Sequence, residues 1–375
     1  MPQYLKQSFH AVRYGLMLTS LLALFLAERA LAEPIEWKTI PTEICKGLWL
    51  VPVTPNSTPD EHLNMVLDTG ATHTIVDPKA VQRVFGRKVP AGKKIRLKDL
   101  HAGPLKLRSI RVETSPLGHL SRALGSQIDG ILGFDIFQNF LLKLDYPNGQ
   151  VQVTTGSLPA IDNHRIFKDA GTRRPYLNIE VGGQPTPVLV DSGSVDGLTL
   201  RQADSIEWET PPRPLSAAVR FRSIEIESTG RAAGDYLFGP LRLERPTIEV
   251  TESGSRLAGW KILHRFEWIF DPQNRRIQMT PDTGAPIHLE PLRGIGIAFR
   301  PLEAGLEVAH IFADTPGSAS EIQVGDIVTA IDGIPVYERG CRTLYETVDQ
   351  PKLVLTVERQ DKPIDVTVEL AVLVP

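Results

Sequence analysis

Cysteine is the rarest residue in this sequence: two in 375, Cys45 and Cys341. A pair that far apart is no disulfide framework, so stability must come from hydrophobic cores, although an oxidising compartment would permit the two to pair. Neither cysteine has a second Cys or His at ligand spacing, and the nine histidines form no His-Glu-x-x-His pattern. No metal and no other cofactor is therefore expected. Charge of one sign is missing too. The formal net charge is −3 with both signs interspersed, which argues against a nucleic-acid partner. One apolar run stands out, residues 16–27, and it is too short for a comfortable membrane span. Lys6 and Arg13 precede it, and Ala30-Leu31-Ala32 follows with small residues where a signal peptidase reads. Residues 1–32 are thus expected to be a signal peptide cleaved after Ala32. The mature chain would start at Glu33 in the periplasm or outside the cell, touching a membrane only if that segment stays uncleaved.

What is present is strand. Hydrophobic content of 42% and charged content of 23% are those of an ordinary soluble protein, and the length has room for two or three domains. The centre of the pattern is Met65-Val66-Leu67-Asp68-Thr69-Gly70, an apolar strand that delivers a carboxylate into a turn where glycine eases the backbone. The pattern recurs at Val188-Leu189-Val190-Asp191-Ser192-Gly193-Ser194. A third Asp-Thr-Gly, residues 282–284, lies between Pro281 and Pro286 and reads as a linker turn with no chemistry. Helical signal is sparse, with one short candidate over residues 78–85.

Further landmarks repeat in the same order. Gly103-Pro104-Leu105 is answered by Gly239-Pro240-Leu241, and Ile131-Leu132-Gly133 by Leu257-Ala258-Gly259. The hairpin signal around Asp145-Tyr146-Pro147-Asn148-Gly149 is answered by Asp271-Pro272-Gln273-Asn274. Asp145 and Asp271 read as hairpin formers and His73 as a loop residue.

These residues resemble the bilobal aspartic proteases of the pepsin and retropepsin superfamily, over most of residues 45–280. The resemblance implies a mainly β chain of two tandem acid-protease lobes, residues 33–158 and 159–284, with Asp68 and Asp191 as the catalytic pair. Two carboxylates in hydrogen-bonding reach cannot both ionise cheaply, so one keeps a proton while the other activates water for peptide hydrolysis. The resemblance further implies that Thr69 and Ser192 hydrogen-bond across the lobes and that Gly70 and Gly193 turn backbone N–H groups to the carboxylates. Ser194 would donate its hydroxyl to Asp191, whereas Ala71 has none to offer Asp68. The second copy is longer between its Asp and its Gly-Pro-Leu landmark. That is where the superfamily places a flap, and Gly230, Gly234 and Tyr236 would belong to it.

After residue 284 the pattern changes. Residues 316–319 are predicted to begin a short helix, Gly325-Asp326-Ile327-Val328 leads to Ile331-Asp332-Gly333, and a hairpin is predicted about Asp361-Lys362. Residues 285–375 resemble a PDZ domain, an α+β module, of the bacterial protease-associated type. The resemblance implies capture of a peptide C-terminus near Gly294, Ile295, Gly296 and Ile297. Protein or peptide substrates are the expected partners. The rival expectation is a catalytically silent peptide-binding adaptor with the same fold. A serine protease is disfavoured, because Val190 stands where an oxyanion loop would want glycine before Ser192.

Overall fold

Apolar residues alternate with polar ones through much of the chain, and the alternation becomes strand. Along Leu105–Thr114 the side chains of Leu105, Leu107, Ile110 and Val112 are buried while Lys106, Arg108 and Arg111 face water. The computed structural model describes residues 36–219, 224–252, 254–341 and 350–375, and it is mainly β. The targeting segment expected over residues 1–32 lies outside the described residues.

Two seven-stranded sheets carry the two Asp turns. In the first, Leu63–Asp68 runs parallel to Gly130–Gly133, which pairs antiparallel with Thr74–Val76. In the second, Gln184–Val190 runs parallel to Leu257–Ala258, which pairs antiparallel with Leu198–Arg201. The Ile-Leu-Gly and Leu-Ala-Gly landmarks are therefore the short strands wedged between each Asp strand and the strand that follows it. Burial on both faces explains why these segments read as apolar runs without alternation.

A six-stranded sheet joins the halves. Its central neighbours are Leu141–Asp145 and Phe266–Asp271, the matching strands of the repeat, paired antiparallel. Each starts the hairpin its sequence announced. Asp145 Oδ1 accepts the Asn148 N–H at 3.2 Å, and Asp271 Oδ1 accepts the Asn274 N–H at 3.1 Å, so both aspartates tie turns as expected. One hydrophobic cluster, from Trp49 and Phe137 to Phe238 and Trp268, runs through both halves.

The halves differ at their edges. The helix Pro78–Phe85 forms where predicted, capped by Asp77, whose carboxylate accepts the Lys79 N–H at 2.7 Å. A second short helix, Gly118–Leu124, forms where none was predicted; Leu120 and Leu124 pack partly buried against the cluster of Leu117, and a helix of 7 residues is too short for that spacing to stand out as a helical period. In the second half a long hairpin, Trp208–Val219 with Ile224–Ala232, occupies the extra length. Tyr236 does not belong to it. The hairpin strand ends in a bend at Ala233 and Gly234, and Tyr236–Phe238 forms a separate three-stranded sheet with Leu241–Glu244 and Ile287–His288. Asp282-Thr283-Gly284 is an exposed bend in which Asp282 pairs with Arg265 at 2.9 Å.

The C-terminal segment has its own core, including Ile295, Val308, Val328, Leu355 and Val368. Its main sheet runs in the order Ile297–Pro301, Leu306–Ile311, Ile327–Ile331, Lys352–Arg359, Lys362–Glu369, leaving Ile297–Pro301 at an edge. Residues 316–319 form turns rather than the expected helix. The Ala319 N–H is shared between the Thr315 and Pro316 carbonyls at 3.2 Å and the Ser320 N–H reaches only Gly317, so the run closes single turns and does not propagate. Cys45 and Cys341 are disulfide-bonded, with Cα atoms 4.8 Å apart, which staples this segment to the first half.

Candidate functional site

Asp68 and Asp191 end equivalent strands and face each other. The link between their turns is reciprocal. Thr69 Oγ1 donates to the Val190 carbonyl at 2.6 Å and accepts the Ser192 N–H at 3.0 Å; Ser192 Oγ donates to the Leu67 carbonyl at 2.9 Å and accepts the Thr69 N–H at 3.0 Å. Both side chains are buried, so four backbone groups with no access to water are satisfied only across the gap between the halves. This is the role expected for Thr69 and Ser192.

Each glycine serves both turns. The Gly70 N–H donates to Asp68 Oδ1 at 2.7 Å and the Gly193 N–H to Asp191 Oδ1 at 2.9 Å. A Cβ on Gly70 would lie 2.5 Å from Asp191 Oδ2, and one on Gly193 would lie 2.6 Å from Asp68 Oδ1. Glycine is therefore required because the opposite carboxylate sits where a side chain would go.

Burial pushes the Asp68 carboxyl above its ordinary value, against the pull of its hydrogen bond with Asp191, the N–H groups of Gly70 and Ala71, and the Arg174 charge. Burial also raises Asp191, well above the usual range, and the charge of Asp68 beside it adds to the rise. Two carboxyls so placed oppose each other's ionisation, and their titration belongs to the pair. Both keep some exposed surface, so solvent can reach them.

Ser194 departs from expectation. Its hydroxyl donates to Asp196 Oδ2 at 3.0 Å and accepts the Asp196 N–H at 3.2 Å, because a charged acceptor two residues on closes a local turn more readily than Asp191 can be reached. Ala71 offers Asp68 its backbone N–H, so neither carboxylate takes a hydroxyl from the residue after its glycine. His73 is a half-exposed loop residue 3.4 Å from Glu113.

Two residues near the pair carried no sequence signal. Arg174 Nη1 donates to the Gly70 carbonyl at 3.2 Å and Nη2 to Tyr176 Oη at 2.6 Å, and its charge bears on both carboxylates. Nothing local marks it, since the fold alone brings it to Gly70. Glu249 is buried behind the Asp191 turn, 3.8 Å from Lys261, with Oε2 unpartnered. Burial raises its carboxyl to about 7, Lys261 opposing and Asp196 adding to the rise. It was hidden because a lone Glu in Thr247–Thr251 reads as an exposed strand position.

A second concavity of about 270 Å³ lies along the edge strand Ile297–Pro301, lined in part by Gly294, Gly296 and Ile297. The Gly296 backbone is left-handed, φ +70°, and a Cβ there would collide with Thr315. The Ile295 carbonyl accepts the Gly317 N–H at 2.7 Å and the Gly296 carbonyl accepts the Phe312 N–H at 3.0 Å. In a trans peptide the N–H points opposite to the carbonyl, so the N–H groups of Gly296 and Ile297 are turned away from those partners. Of the four residues expected to meet a peptide, Ile295 does not line the cavity; its side chain is buried in the segment's core. Among the described residues no group of His, Cys, Asp and Glu could hold a metal ion.

No curated protein matches this chain in sequence. Residues 294–370 match the PDZ domain family, and the match coincides with the edge strand, the left-handed glycine and the cavity beside them. The chain therefore contains a PDZ domain over residues 294–370, a module of the kind that binds peptides or partner proteins.

Proposed function

We propose that this protein is an exported aspartic endopeptidase in which Asp68 and Asp191, one from each of two lobes, hydrolyse peptide bonds while the PDZ domain binds substrate or partner peptides. The observation that carries the reading is the reciprocal Thr69–Ser192 link, which fixes two partly accessible carboxylates face to face where burial pushes both above the ordinary aspartate value. The ionised carboxylate takes a proton from a water held between the pair as its oxygen attacks the scissile carbonyl carbon. The protonated carboxyl donates to the carbonyl oxygen, giving a diol. As the C–N bond breaks, one carboxyl gives its proton to the amide nitrogen while the other carboxylate takes a proton from a diol hydroxyl, which releases two peptides and leaves the pair with its single shared proton.

Export is supported by the N-terminal segment and by the Cys45–Cys341 bond, which suits an oxidising compartment. The long second-half hairpin is the natural lid. The first half has no counterpart of its Trp208–Val219 strand, which favours the rival reading of a peptide-binding adaptor. The test is cleavage of an unfolded protein substrate by the chain from Glu33 across pH 3 to 8, beside Asp68→Asn and Asp191→Asn. Activity in the parent, abolished in both folded variants, is the expected result. Peptide binding by the PDZ domain with no cleavage at any pH would establish the adaptor instead.

A further inference from the structure

The two halves differ in what they set beside the Asp turns. Tyr176 pairs with Leu189, two residues before Asp191, and Leu50 pairs with Val66, two residues before Asp68. The register therefore makes Leu48 and Leu50 the first-half counterparts of Arg174 and Tyr176. Both leucines are buried in an apolar cluster. Arg174 is half-buried and reaches the opposite turn, where Nη1 donates to the Gly70 carbonyl at 3.2 Å. Its Nη2 donates to Tyr176 Oη at 2.6 Å, and the guanidinium lies over the Tyr176 ring, 5.5 Å from its centroid. Two hydrogen bonds and a ring face hold a planar cation in one place.

The carbonyl it binds is half of a peptide unit whose other half is the Ala71 N–H, a donor to the Asp68 carboxylate. In a trans peptide the two point opposite ways, so guanidinium and carboxylate sit at the two ends of one dipole. A cation on the oxygen polarises the amide and strengthens its N–H as a donor. The Gly70 N–H holds Asp68 Oδ1 at 2.7 Å beside it. In the second turn the Gly193 N–H donates to Asp191 Oδ1 at 2.9 Å, but the Ser194 hydroxyl is spent on Asp196.

Other titratable groups surround the pair. Burial pushes the Tyr146 phenol above its ordinary value and the Asp191 charge adds to the rise, so it stays neutral. Beyond the Asp68 turn, Asp135 accepts from Thr74 Oγ1 at 3.2 Å and His73 lies against Glu113. Past Tyr176, Asp169 accepts the Gly171 and Tyr176 N–H groups at 2.7 and 2.9 Å, with Arg275 on its carbonyl. Asp196, Glu249 and Lys261 stand behind the Asp191 turn.

We infer that Arg174 is a positioning residue that breaks the symmetry of the pair: acting through the Gly70–Ala71 peptide, it holds the negative charge on Asp68 and leaves the proton to Asp191. Only the catalytic consequence rests on the protease reading, namely that Asp68 takes the proton from water while Asp191 donates to the substrate carbonyl. The opposing pulls agree with this. Burial lifts both carboxyls and the Arg174 charge counters it at both, yet Asp191 ends the further above the ordinary value.

The experiment follows aspartate carboxyl carbon-13 shifts against pH in the chain from Glu33, with Asp68→Asn and Asp191→Asn to separate the two signals and a pH–rate profile for cleavage of an unfolded protein in parallel. Asp68 alone, in Asp191→Asn, is expected to titrate below Asp191 alone, in Asp68→Asn; the reverse order overturns the asymmetry. Arg174→Gln keeps a donor for the Gly70 carbonyl and loses the charge, and should raise the lower step of the pair by about one pH unit, with kcat/KM on the acid limb falling about tenfold. Arg174→Lys should stay nearer the parent. Tyr176→Phe, which frees Nη2 without touching the charge, should move the lower step the same way by less, and it decides the matter if Arg174→Gln folds poorly. A lower step that stays put in Arg174→Gln, or that moves as far in Arg174→Lys, sinks the role of the charge. If the titrations behave as stated and no cleavage is seen, the inference stands and the protease reading alone fails. Shifted titrations beside an unmoved acid limb would overturn the catalytic assignment.

Discussion

Replacing Thr69 with Val keeps the shape of the side chain and removes one hydroxyl, which makes it a clean probe of the bridge between the two Asp turns. That hydroxyl donates to the Val190 carbonyl and accepts the Ser192 N–H, and the site is buried. The variant leaves both backbone groups without a partner and without water. At about 1–3 kcal/mol for each orphaned buried group, the loss is about 2–6 kcal/mol. Thr69→Ser keeps the hydroxyl, loses a methyl, and is expected to cost under about 1.5 kcal/mol. Urea unfolding followed by tryptophan fluorescence reads the difference. A cycle with Ser192→Ala should show coupling beyond about 0.5 kcal/mol, because the two side chains serve one bridge. A Thr69→Val midpoint within about 1 kcal/mol of the parent would refute the argument that these bonds are the sole partners of those groups.

Gly193→Ala places a methyl where Asp68 sits and should lower kcat by about a hundredfold or more, the effect of displacing a reacting group by about an ångström, in a steady-state assay. Glu249 binds its proton more tightly folded than unfolded, so the stability it contributes is complete below its ordinary value of 4.5 and is lost as pH rises through about 7. Glu249→Gln should flatten the fall in stability between about pH 5 and 8 by about 3 kcal/mol, read from denaturant midpoints at the two pH values. Cys341→Ser opens a loop spanning a sequence separation of 296 and should cost about 3–5 kcal/mol, with reduction of the parent giving the same shift in melting. With no hydroxyl donated by residue 71 or 194 to either carboxylate, the activity maximum should lie above about pH 3, checked by a pH–rate profile.

Much of this arrangement was legible because the repeat is written in glycines and apolar runs whose roles are local. Gly70 and Gly193 mark turns in any fold, and residues 65–67 and 188–190 read as buried strands from composition alone. Asp145 and Asp271 announce hairpins through the Asn three positions on. What the sequence concealed depends on tertiary approach. Arg174 reaches Gly70 from a segment with no motif, and Glu249 becomes unusual only when Lys261 and Asp196 close around it. Ser194 was assigned to Asp191 by its place in the motif, but Asp196 is a nearer acceptor for its hydroxyl. The flap tyrosine failed for a similar reason. The bend at Ala233 and Gly234 ends the hairpin and sends Tyr236 into a different sheet, a turn of the chain that spacing does not reveal.

The central claim is that Asp68 and Asp191 share one proton. Aspartate-selective carbon-13 labelling, with carboxyl shifts followed against pH in the chain from Glu33 and in Asp191→Asn, tests it without any substrate. The account predicts two separated steps for the pair, the upper one well above the ordinary aspartate range, and loss of that upper step in the variant. Two carboxyls that titrate together at ordinary aspartate values, unaltered by the substitution, would contradict it.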